Sequence, residues 1–435
     1  MGVKTRLLDR LEGAIAPLLA AAEAQRPGEP VLLDLFAGTG VVGARLAERA
    51  RVVACDVQAY AAVLAASRLL PVTGLEAALR AALGRAARAR TALQLRYAQA
   101  LARERALLPA AAAGGTAGGR PRSRAAARAA LVAYRRAVLA EAASHQPECE
   151  VAARDADGFP PCLLTAYYRN VYFGVEQAIE LDALRYGIEG ETEPRRRQAL
   201  LAALLYAASR ATSATAHFAQ PRALGRLREV RALARRRTIQ VRRLFVARAR
   251  VLAAEAEQAR LLQRSEANEV HCVEYRQLLA RWGERRLDVV YADPPYTADN
   301  YSRFYHVLET LVRYDYPPLE RRGGRLLKGR YPVRARRHQS RFCSPATVEQ
   351  EFRTVCGFAA GRGAALVWSY SASNGLLVRA CYGGRLEPLR ALLREYFGEV
   401  RLQRCRMRHS GAGSRNHDAE ELIAVCTRPH GPLRD

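Results

Sequence analysis

The stretch PVLLDLFAGTGVVGARLAERARVVACDV, residues 30–57, decides the fold. An apolar run from Val31 to Leu33 ends in Asp34 and leads into a glycine-rich turn, Gly38-Thr39-Gly40-Val41-Val42-Gly43. A helix-spaced segment follows, then a second apolar run from Val52 to Cys55 that ends in Asp56. Strand, glycine turn, helix and strand in that order open a parallel, doubly wound α/β sheet. Such glycines let the backbone approach an adenosine-bearing ligand, and an acid about 20 residues further on is placed for ribose hydroxyls. Asp56 stands at that spacing after Gly38.

The glycine pattern fits a nicotinamide dinucleotide as well as S-adenosylmethionine. Asp34 separates the two: a carboxylate at the strand end repels a pyrophosphate and favours a sulfonium and an α-ammonium group. S-adenosylmethionine is therefore the expected cofactor.

Beyond residue 70 the alternation stops. From about 71 to 265 the chain is Ala, Arg and Leu at helical spacing, interrupted by PAAAAGGTAGGRPRS (109–123), a low-complexity stretch predicted as a flexible loop. Strand signals return in EVHCVEY (269–275), LDVVYADPPY (287–296), AALVWSYS (364–371), VRLQRCRMR (400–408) and ELIAVCT (421–427). One α/β domain, residues 1–70 and 266–435, is thus expected to carry residues 71–265 as a mainly helical insertion. The Gly, Ser and Asn residues between the last two strands predict an antiparallel hairpin.

The formal charge of +27, with 69 basic against 42 acidic residues, predicts a polyanionic partner, above all nucleic acid. The 9 cysteines form no C-x-x-C pair, which predicts reduced thiols and no zinc site or other metal. The N-terminal residues read as an amphipathic helix, and no uncharged apolar run approaches the roughly 18 residues of a membrane span. The expected location is the cytoplasm.

The chemistry lies in Asp293-Pro294-Pro295-Tyr296, at the end of an apolar strand and hence at the edge where open α/β sheets bind ligands. Successive prolines fix the backbone and leave carbonyls as acceptors. An acid, a rigid carbonyl and a stacking ring suit methylation of an exocyclic amino group. Asp293 and the Pro294 carbonyl accept from its two N–H groups and stabilise the developing positive charge. Tyr296 stacks on a base drawn out of its duplex.

These motifs resemble the amino-directed DNA methyltransferases, and among them the adenine-specific Dam-like (alpha, D12) enzymes. The likeness covers most of the α/β part and, faintly, the insert. It implies a Rossmann-like methyltransferase sheet of seven strands, mostly parallel with a C-terminal antiparallel hairpin. It also implies methyl transfer to adenine N6, with cytosine N4 or RNA as the nearest alternatives. GVKTRLL resembles the family's Gly-x-Lys motif and places Lys4 at the methionine end of the cofactor. DLFAGTG matches the cofactor loop, giving Asp34, Phe36, Gly38 and Gly40; Asp56 is the ribose acid and Glu274 stands where the family has an acid near the cofactor's adenine. The order, cofactor loop first and tetrapeptide last, is the alpha arrangement, with the DNA-recognition module between them.

In the insert, residues 222–250 carry 11 arginines, Arg235, Arg236 and Arg237 among them, covering more than one helix face and suiting a phosphate backbone. Tyr167, Tyr168, Tyr172 and Phe173 could equally be core or stack on bases. Asn300 and Tyr301 are expected to shape the base pocket, while His306 and Cys162 read as structural. Restriction or defence partner proteins fit such an enzyme. A defence-system subunit with an inactive methyltransferase fold is the alternative of a different class.

Overall fold

The computed structural model describes residues 7–113, 116–117, 120–121, 123–144, 147, 161–214, 218–261, 267–410 and 416–431. Lys4 and parts of the 109–123 and 409–418 stretches lie outside them. The chain divides into two compact units.

The first unit comprises residues 1–71, 256–302 and 338–435. Its strands are β1 (Val31–Asp34), β2 (Arg51–Cys55), β5 (Glu269–His271), β6 (Val289–Ala292), β9 (Ala365–Ser371), β10 (Phe397–Ser410) and β11 (Asn416–Pro429). They form one sheet in the order β10-β11-β9-β6-β1-β2-β5. The pairs β1–β2, β1–β6, β2–β5 and β6–β9 are parallel, whereas β11 runs antiparallel to both β9 and β10. The short pairs β3 (Thr116–Ala117) with β4 (Arg120–Pro121), and β7 (Arg321–Arg322) with β8 (Arg325–Leu326), stand apart from it.

All four residues of β1 and of β6 are buried, as expected of parallel strands covered on both faces. Alternate side chains go to opposite faces. Leu33, Val53, Val290 and Ala292 join a core with Trp282, Phe352 and Trp368, whereas Leu32, Val52, Ala54 and Tyr291 join another with Leu11, Ile15 and Leu19 of the first helix. That helix, Leu8–Gln25, buries a narrow apolar stripe, which explains the charges among its apolar residues. Each fully buried Leu or Val adds roughly 1.5–3 kcal/mol.

The sheet order fixes where a ligand can bind. From β1 the chain winds outward through β2 and β5, then crosses to β6 on the other side of β1. The switch between β1 and β6 opens a crevice beyond their carboxyl ends.

The second unit comprises residues 72–255 and 303–337. It is built on long helices, including Leu75–Arg96, Val175–Glu189, Pro194–Ala211 and Leu227–Arg237. A Cβ on Gly187 would lie 2.2 Å from the Ala82 carbonyl, so only glycine permits that approach between the first two. Tyr168, Tyr172 and Phe173 are buried, and Tyr168 and Tyr172 each meet the His306 ring at 5.7 Å. These rings, left open by the sequence, are core. Cys162 is likewise buried.

Two expectations change. Residues 303–337, expected in the α/β part, pack with the helical unit: Tyr168 donates to Thr310 Oγ1 at 3.3 Å, and Arg185 Nε to the Leu311 carbonyl at 3.1 Å. Residues 109–113, expected in a loop, continue the helix Ala98–Ala113 through Pro109.

Candidate active site

Asp34 closes β1 opposite Tyr291 of β6 and Ala54 of β2, and the next amide, Leu35, donates to the Tyr291 carbonyl at 3.0 Å. The turn that follows is tight, with Gly40 N–H on the Ala37 carbonyl at 2.7 Å. Gly38 and Gly40 have φ of 53° and 70°, a region open to glycine at little cost. A Cβ on Gly40 would also lie 2.6 Å from Ala65 Cα. Asp56, just past β2, is held by two amides, with Gly38 N–H on its Oδ2 at 3.0 Å and Gln58 N–H on its Oδ1 at 2.8 Å.

Asp34 is only 1% exposed, and among the described residues its carboxylate oxygens meet no side-chain donor and no amide at good hydrogen-bond geometry, the Phe36 and Gly43 amides lying only near enough for a weak pull. Burial, then the charges of Asp293 and Asp56, push its pKa from 3.8 to about 8, against a weaker opposing pull from the Phe36 and Gly43 amides. A buried carboxylate with no counter-charge is costly unless it is protonated or meets a cation. A sulfonium and an ammonium group supply that cation, so the site's chemistry fits S-adenosylmethionine and disfavours a pyrophosphate.

Asp293 follows β6 directly, half-buried, with Pro294 buried behind it. Tyr296 is half-buried; its ring meets the edge of Tyr370 at 6.1 Å and its carbonyl accepts from Leu376 N–H at 2.8 Å. Ser369 and Tyr370 are fully buried on β9. Cys343 Sγ donates to the Asp299 carbonyl at 3.5 Å, and Ser302 to the Asn300 side chain. Asn300 is half-buried at the end of the same loop, and Tyr301, also half-buried, opens the short helix that follows.

Phe36 leans on Tyr275 and Phe342, with ring centroids 5.3 Å and 5.4 Å away. Behind this trio Glu351, fully buried, accepts from Tyr275 OH, from Arg276 at 2.6 Å and 2.8 Å, and from Arg341 Nε at 2.7 Å. These donors hold its carboxyl below the ordinary range against the opposing effect of burial. Phe342, Glu351, Arg276 and Arg341 were not read from the sequence, because no short spacing links residue 276 to 341 or 351. Glu274 caps the helix Tyr275–Ala280, accepting from Arg276 N–H at 2.8 Å, and burial raises its pKa.

The three consecutive arginines separate. In the helical unit Arg235 is exposed, and Arg236, half-buried, donates to the Arg210 carbonyl at 3.2 Å. Arg237 points inward, its side chain 0% exposed, bonded to Tyr134 OH at 3.1 Å and Asn170 Oδ1 at 2.6 Å and lying 3.7 Å from Glu104. It follows Val230, Leu233 and Ala234 on the buried face of the helix. The expectation that Arg237 meets substrate is therefore corrected. Arg222, Arg228, Arg231, Arg235 and Arg236 instead line a cavity of about 350 Å³.

The mixed α/β sheet and its switch-point acids are compatible with a Rossmann-like methyltransferase. Residues 242–332, which include the tetrapeptide, match the family model of the D12 class N6 adenine-specific DNA methyltransferases. The chain is also similar to Modification methylase LlaI of Lactococcus lactis subsp. lactis, 54% identical over 41 residues, 9% of this chain and 7% of that protein. The match thus spans less than a tenth of that relative's length. No helix among the described residues is long and apolar enough to cross a membrane.

Proposed function

We propose that the chain is an S-adenosylmethionine-dependent methyltransferase acting on the N6 amino group of adenine in DNA. The observation that carries this reading is the buried Asp34, without a cationic partner among the described residues and within reach of the Asp293 charge at the β1–β6 switch point. The family match across Asp293–Tyr296 supports it.

Bound S-adenosylmethionine supplies a methyl group on cationic sulfur, open to direct in-line displacement. Asp34 would face the cationic methionine end, Gly38 and Gly40 would let the backbone close on the nucleoside, and Asp56, fixed by two amides, would accept from the ribose. Phe36, backed by Tyr275 and Phe342, would give the cofactor an apolar wall, and Glu274 would lie towards its adenine. Asp293 and the Pro294 carbonyl accept the two N–H groups of the target amine, concentrating its lone pair and stabilising positive charge on nitrogen. Pro295 stiffens the turn, Tyr296 stacks on the flipped base, and Asn300 and Tyr301 close the pocket. The helical unit holds DNA, with Arg235 and Arg236 on phosphates. The likeness to a modification methylase favours a cytoplasmic restriction-modification or phage-defence role with a partner nuclease.

Expression in a bacterial host lacking DNA methylation, with genome-wide mapping of modified bases, tests this. N6-methyladenine confined to one sequence context is expected. Unmodified DNA in cells that accumulate folded protein overturns the reading, and N4-methylcytosine moves it to the other amino base.

A further inference from the structure

The helical unit carries a small basic finger to which no role has been given. β7 and β8 pair antiparallel across Gly323-Gly324, with Arg321 opposite Leu326 and Arg322 opposite Arg325. Both glycines have positive φ, 53° and 73°, the conformation of the tight two-residue turn that suits a twisted ribbon. Residues 321–325 and Lys328 are all exposed.

The root of the finger is locked while its tip is open. Leu327 N–H donates to the Glu320 carbonyl at 3.1 Å, Glu320 N–H to the Tyr331 carbonyl at 2.7 Å, and Val333 N–H to the Pro318 carbonyl at 2.9 Å. Glu320 is tied to Arg337 at 2.7 Å. The Gly329 carbonyl lies 2.9 Å from His306 Nε2 and accepts from Tyr172 OH at 3.1 Å, both inside the unit. At the tip, two arginines face each other across the ladder, and among the described residues no carboxylate pairs with Arg322, Arg325 or Lys328. Like charges directly opposite destabilise a ladder. A stiff ribbon that holds such a pair at its end, with two side-chain-free residues between them, is built to meet fixed acceptors.

We infer that the Arg321–Leu326 finger docks on duplex DNA, with Arg322 and Arg325 reaching acceptors in or along a groove. This rests on the DNA-directed reading above. A two-stranded ribbon fits the major groove, and arginine there meets guanine edges or phosphates with the same donor fork.

The test uses the full chain carrying Arg322→Ala and Arg325→Ala together, with a duplex containing the mapped methylation site, measured by fluorescence anisotropy at several salt concentrations. Duplex affinity is expected to fall by about 10- to 100-fold, with S-adenosylmethionine binding unchanged. The Arg322→Lys, Arg325→Lys protein assigns the acceptor: restored affinity with sequence preference intact places the tip on phosphates, and restored affinity without preference places it on bases. An alanine variant with wild-type affinity and salt dependence overturns the inference. A wild-type protein that binds no duplex overturns the reading beneath it.

Discussion

Gly38 donates its backbone N–H to Oδ2 of Asp56 at 3.0 Å, so the glycine turn after the first strand and the acid after the second are one hydrogen-bonded unit. Loss of either partner disturbs both. Asp56→Ala is expected to weaken S-adenosylmethionine binding by at least about tenfold, since a hydrogen bond to a charged group contributes about 1.5–3 kcal/mol. Isothermal calorimetry measures it, and unchanged affinity would remove Asp56 from the cofactor site.

Asp34 gives the site a pH dependence. Its folded-state pKa of about 8 lies above its ordinary 3.8, so between these values the native state holds a proton that the unfolded chain has lost. Stability from this group therefore falls as pH rises through that window. A cationic ligand favours the ionised form, so binding releases the proton, and affinity for S-adenosylmethionine should climb from pH 6 towards 8 and level above it, approaching tenfold per unit. Calorimetry in buffers of different ionisation enthalpy counts the proton, and Asp34→Asn should flatten this component of the profile.

Asp293→Ala should lower kcat by about 10³-fold, the scale of a lost transition-state acceptor, while cofactor affinity holds or rises. Single-turnover methyl transfer measures the first and calorimetry the second. Activity that survives the substitution contradicts the assigned mechanism.

The inward and outward arginines predict opposite phenotypes. Arg237→Ala leaves the buried Glu104 without its cation and should cost about 3–5 kcal/mol in urea unfolding. Arg235→Ala should stay within about 0.5 kcal/mol of wild type, yet reduce the salt slope of DNA binding by about one phosphate.

Gly40→Ala places a Cβ 2.6 Å from Ala65 Cα at a φ of 70°. A loss of about 1–3 kcal/mol is expected in thermal or chemical unfolding, with weaker cofactor binding in the folded fraction.

The sheet was legible because parallel strands read as unbroken apolar runs, and Val31–Leu33 and Val289–Ala292 are such runs. The neighbourhood of Asp34 and Asp293 followed, since both end strands at one edge. The unit to which residues 303–337 belong was not legible: His306, Val307, Leu308, Thr310 and Leu311 show helical spacing whichever core receives them. Arg237 shares the buried face of Val230, Leu233 and Ala234, but within three consecutive arginines the charge run masks that helical period. The Glu351 network had no local signature, since its partners converge only through the fold.

The helical unit is assembled from two separate lengths of chain, 72–255 and 303–337, and the strand and loop of Asp293 fall between these lengths in sequence. If the helical unit recognises DNA as proposed, transplanting target specificity requires exchanging both lengths together, because a single-segment swap leaves the recipient's second length facing a foreign core. The same connectivity orders biosynthesis: the helical unit lacks its last part until residue 337 has left the ribosome, by which time Asp293-Pro294-Pro295-Tyr296 has already emerged.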